Sequence, residues 1–126
     1  MKSFISRYFS NHAETSEEPH DKRLKTHYYK AKKDEVFRAV ADLFPAPSEK
    51  AAVSNERGEI TVNYKGNRKA FIVATIIMVR PFQTSVDFSV TSDSGGPVDF
   101  GFSDRLILQL YEQLDRQFPS LKSSER

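Results

Sequence analysis

The stretch KAFIVATIIMVR, residues 69–80, constrains this chain more than any other. Its β-branched and aromatic content reads as a strand, and in a strand alternate side chains point to opposite faces. Phe71, Val73, Ile77 and Val79 then fall on one side and Ile72, Ala74, Ile76 and Met78 on the other. Both sides are apolar. Leaving Ile72, Ile76 and Met78 in water would forgo about 1.5–3 kcal/mol each, so that face is expected to be covered. A curled sheet, the N-terminal aromatic segment, a ligand or a second subunit could each supply the cover.

The neighbouring segments show which scaffold carries the strand. EITVNYK before it and TSVDFSVTS after it alternate cleanly, with Ile60, Val62 and Tyr64, then Val86, Phe88 and Val90, directed inward. These are half-exposed strands. ERG and KGNR mark tight turns, EKAAVSNE reads as a further strand, and THYYKA as a β-rich opening. In KKDEVFRAVADLFP, the residues Val36, Phe37, Val40, Leu43 and Phe44 recur at helical spacing, Asp34 is available as N-cap and Pro45 stops the run. RLILQLYEQLDRQF repeats the pattern with Ile107, Leu110, Tyr111, Leu114 and Phe118, capped by Ser103 or Asp104 and ended by Pro119. The predicted order is β-α-β-β-β-β-α. This is an α+β fold, an antiparallel meander sheet with two helices, the C-terminal one packed across the sheet.

With 126 residues the chain has room for one domain, predicted over 26–119. Residues 1–25 are expected to form a largely flexible arm and 120–126 a tail, since NHAETSEEPHDKRLK offers almost nothing to bury. Within the arm, Phe4, Ile5, Tyr8 and Phe9 with Lys2 and Arg7 suggest a short amphipathic turn at 2–9, a candidate for membrane-surface contact. No cysteine is present, which fits a cytoplasmic chain and removes disulfide and thiolate chemistry. No apolar run has the length of a membrane span, and no signal peptide is read in MKSFISRYFS. The net charge of +2 is too small to announce a polyanionic partner by itself.

Chemistry-bearing motifs are sparse. DSGGP at 93–97 spells part of the trypsin-like nucleophile signature, yet Ser92 replaces the glycine whose N–H would help form the oxyanion hole. The histidines His12, His20 and His27 stand in no triad motif, so a hydrolase built on Ser94 is disfavoured. Their spacings of eight and seven residues suit no familiar metal site, and no metal or cofactor is expected. No phosphate-binding glycine motif occurs. Lys22, Arg23, Lys25, Lys30, Lys32 and Lys33 crowd around Tyr28 and Tyr29, a composition that could grip phosphates and stack on bases. A second basic group, Lys65, Arg68 and Lys69, accompanies a hairpin.

The stretch from Val79 to Leu114 resembles the C-terminal part of a bacterial domain family of unknown function, number 1499. Asp99, Gly101, Arg105 and Leu106 match that family's loop and helix opening, with Ser103 where asparagine is usual. The resemblance implies a related fold, no assigned activity, and a pair, Asp99 and Arg105, joining the loop to the last helix. The leading expectation is a non-enzymatic domain that binds a protein partner, itself or a small apolar ligand through Ile72, Ile76 and Met78. The alternative is a nucleic-acid module built on residues 22–33.

Overall fold

The computed structural model describes residues 12–93 and 101–121. Seven strands form one antiparallel sheet: β1 (His12–Glu14), β2 (His27–Tyr29), β3 (Glu49–Ser54), β4 (Glu59–Lys65), β5 (Lys69–Arg80), β6 (Gln83–Asp93) and β7 (Ser120–Leu121). Two helices accompany it, α1 (Lys33–Ala41) and α2 (Phe102–Gln117). The spatial order is β3-β4-β5-β6-β2-β7, with β1 beside β6 as well. The expected α+β meander with a C-terminal helix is therefore present.

One face of the sheet carries the core. Ile60, Val62, Ile72, Ala74, Ile76, Val86, Phe88 and Val90 are buried there against Val36, Phe37 and Val40 of α1 and Leu106, Ile107, Leu110, Tyr111 and Leu114 of α2. α1 lies on β5 and β6, and α2 on β6 and β1. Ile72 and Ile76, expected to meet a ligand or partner, are instead fully enclosed by the protein's own helices. They have no surface to offer. Met78, the third of that set, stays more than half exposed.

Residues 12–25 also depart from expectation. Far from a flexible arm throughout, they add β1 to β6, with Ala13 opposite Val90, and bury Leu24 completely. The backbone of β6 supplies hydrogen bonds that a composition-based reading cannot see, so two apolar side chains are enough to seat the segment. β1 pairs with Ser89–Thr91 and β2 with Thr84–Val86, leaving Asp87 opposite the break between them. Asp87 fastens both sides of that break. Its Oδ1 accepts from the hydroxyls of Thr15 and Thr26, each at 2.6 Å. Ser16 and Lys25 bridge just beyond, closing the neck of the loop between them.

Helix starts differ from the sequence reading. α1 is capped by the backbone at Lys32, with Asp34 inside the first turn facing the helix dipole. α2 begins after Gly101, whose φ of 85° suits glycine, and Ser103 is buried within the first turn. Of the predicted tail, Ser120 and Leu121 join the sheet beside β2. Residues 4–9, Ser94 and Asp99 lie outside the described residues.

Candidate interaction surface

β5 outruns β4 and α1. At about 3.4 Å per residue its twelve residues extend roughly 40 Å, whereas the nine residues of α1 extend about 13 Å. β4 pairs with β5 only as far as Thr75, and Gly58 then closes that edge by accepting from Ile76 N at 2.7 Å. Beyond this point, among the described residues, β5 pairs only with β6. Residues 79–83 make a two-stranded turn at Pro81 and Phe82, with Arg80 facing Gln83, while Ile77 and Met78 lie opposite Ser85 and Thr84, which pair on their other side with β2.

The apolar β5 residues of that end are exposed, whereas Thr84 and Ser85 of β6 are buried. Ile77, Met78, Val79 and Phe82 are 49%, 53%, 45% and 56% exposed. Ile77 shares the face of Ser85, Met78 shares the opposite face with Thr84, and Val79 sits where the register with β6 shifts. Phe82 adopts a φ of 62° after a proline, the arrangement of a type II turn, whose third residue is normally glycine or asparagine. A bulky side chain there costs on the order of 1–2 kcal/mol. No core contact offsets that cost, because the ring is mostly in solvent. Lys32, immediately before α1, places its Nζ 5.6 Å from the ring centroid, a cation–π contact.

A second cluster joins β2 to α2. The His27 ring stacks on Tyr111 with centroids 3.6 Å apart and planes within 5°. Its Nδ1 lies 3.1 Å from Asp115 Oδ1, and Tyr29 donates to the same oxygen at 2.7 Å. Tyr111 donates to the Val86 carbonyl at 2.6 Å. The shallow depression beside this cluster is completed by Leu108, Gln109 and Glu112 and contains no serine, threonine or cysteine. Burial pushes both phenols well above the usual tyrosine value, and for Tyr29 the hydrogen bond to Asp115 adds to it. The ring stack and the hydrogen bonds to Asp115 and Val86 clamp the sheet to α2.

The basic segment departs in part from the arrangement that the nucleic-acid reading expects. Tyr28 and Tyr29 are buried and cannot stack on bases. Arg23 is clasped by Asp21, with Nη2 to Oδ2 at 2.6 Å, and lies near Asp104 at the start of α2. Lys22 flanks Arg23 on the same short 3₁₀ turn, and Lys25 follows it. Lys30, by contrast, bonds through its backbone to Pro119 beyond the other end of α2. Arg23 and Lys30 therefore lie toward opposite ends of α2. Lys33 donates to the Asn55 carbonyl at 2.9 Å. Lys65 pairs with Glu49, and Arg68 lies over Phe102. Arg105 opens α2, bonding through its backbone N–H to Gly101.

Among the described residues no cluster of three histidine, cysteine, aspartate or glutamate side chains could hold a metal, and no helix is long and apolar enough to cross a membrane. Of the three residues that the sequence reading offered as a contact face, Met78 is exposed, while Ile72 and Ile76 are buried and the exposed group is Ile77, Met78, Val79 and Phe82. Its own signal was the length of the strand beyond its partners, together with Pro-Phe where Pro-Gly is usual. Compared with protein-family models, with curated proteins and with solved structures, the chain matches none.

Proposed function

We propose that this chain is a non-enzymatic interaction domain of the cytoplasm that engages its partner through the end of the β5–β6 hairpin. The observation that carries the reading is Phe82, an exposed aromatic kept at a backbone position that disfavours it, beside exposed Ile77, Met78 and Val79. Contiguous exposed apolar side chains mark contact surfaces in proteins of this size. The cytoplasmic placement draws support from the absence of cysteine. Kinship with the bacterial family numbered 1499 belongs to the same proposal and adds no activity.

Two measurements test it. Phe82→Asn should hold or raise the melting temperature, because asparagine tolerates this φ; a clear drop would make the ring structural and defeat the reading. A photo-reactive residue at position 82 of the full chain, expressed in cells, should give adducts that the same residue at position 50 on the edge strand does not. Equal or absent labelling at the two positions would sink it.

A further inference from the structure

The kind of partner follows from the shape and charge of the hairpin end, and the inference rests on the reading that residues 77–82 are the contact surface. Exposed apolar side chains stand on both faces of the outer strand at the hairpin end and at its turn, with Ile77 on one side, Met78 on the other and Phe82 at the apex, while Ser85 and Thr84 opposite them are buried. A folded partner covers one side of such a corner unless it offers a cleft. A fluid interface surrounds both.

Cations accompany the apolar group. Arg80 is exposed within the ribbon, Lys32 is exposed and stands over Phe82, and Lys30 follows Tyr29, whose partner Thr84 adjoins Gln83. Asp34 and Glu35 follow on the first turn of α1. Long basic side chains beside exposed apolar ones suit the boundary between headgroups and acyl chains, where the stems lie in the apolar layer and the charges meet anionic lipid. A second copy docking end to end would set Arg80 and Lys32 against their own counterparts, which like-charge repulsion opposes.

We infer that the end of the β5–β6 hairpin inserts shallowly into an anionic lipid surface. Ile77, Met78, Val79 and Phe82 enter the interface, and Lys30, Lys32 and Arg80 contact the acidic headgroups. The turn needs no rearrangement for this, since the side chains already point into solvent.

Sedimentation of the full chain with vesicles tests the inference, using phosphatidylcholine alone and phosphatidylcholine mixed with phosphatidylserine. Binding is expected to the mixed vesicles, weakening as salt is added. Lys32→Ala and Arg80→Ala should each reduce partitioning about fivefold. Phe82→Asn and Met78→Ser should reduce it about tenfold or more with unchanged circular dichroism, which keeps misfolding out of the result. Absence of binding to the mixed vesicles overturns the inference, as does binding that Phe82→Asn leaves intact. If the vesicle assay fails while position 82 yields protein adducts in cells, the lipid partner is wrong and the contact surface stands. If both fail, neither survives.

Discussion

The two halves of β5 have nearly the same composition and opposite fates. From Ala70 to Ile76 every second side chain is enclosed by α1 and α2, while from Ile77 to Phe82 the large apolar side chains stand in solvent on either face. Hydrophobicity does not distinguish them. What does is the reach of the neighbouring elements: α1 is a third of the strand's length, and β4 leaves the ladder at Thr75. Burial in a two-layer fold is thus decided by how far the second layer extends, and apolar residues beyond its edge are free for other uses.

The contrast can be broken most directly by truncation on the covered side. Ile76→Ala should cost about 2–5 kcal/mol in urea unfolding, with Ile77→Ala next to it within about 0.5 kcal/mol. Similar losses at both positions would mean that the hairpin end is part of the core.

Alkaline titration probes the covered layer in another way. Tyr29 and Tyr111 both have folded-state values raised above that of the unfolded chain. Their contribution is fully present below the unfolded value of about 10 and declines as pH rises past it, because the unfolded chain then releases two protons that the folded chain keeps. Stability should fall by about 1.4 kcal/mol per phenol for each pH unit in that range. Tyr29→Phe should halve the slope in denaturant titrations at successive pH values. A slope unaffected by either tyrosine would show the phenols to be accessible.

A smaller effect is expected where the covered side meets the edge. Asp87→Ala removes the acceptor shared by Thr15 and Thr26 and should cost about 1–3 kcal/mol, with hydrogen exchange of residues 12–26 accelerated ahead of the rest. Uniform acceleration would assign Asp87 to the global core.

Much of the sheet was readable because alternation is a property of neighbouring residues. EITVNYK and TSVDFSVTS directed Ile60, Val62, Tyr64, Val86, Phe88 and Val90 inward; five of the six are buried and Tyr64 is half-buried against the core. For β5 the same alternation yielded two apolar faces, and it correctly grouped Ile72 with Ile76. Whether helices or a partner covered that group depends on packing across the chain, which no local window contains. The segment 12–25 was hidden for a related reason: Thr15 and Thr26 look like solvent residues until Asp87 is brought between them. The tyrosines of the basic stretch misled in the opposite direction. Tyr28 and Tyr29 read as a stacking platform, yet β6 and β7 enclose β2 between them and Asp115 takes the Tyr29 hydroxyl. Helix caps were missed because Asp34 and Ser103 are good capping residues that the backbone places two residues too late.

The break between β1 and β2 has a consequence for how this fold accepts change. The loop from Ser16 to Lys25 leaves and rejoins the sheet edge at adjacent points, bridged at its neck and fastened below by Asp87. Its length is therefore decoupled from the register on either side. Doubling a flexible loop costs only about 0.6 kcal/mol in closure entropy. Between Glu18 and Pro19, ahead of buried Leu24, the chain has a natural insertion point, where a reporter or an added peptide can ride without disturbing either the clamp at His27 or the hairpin end.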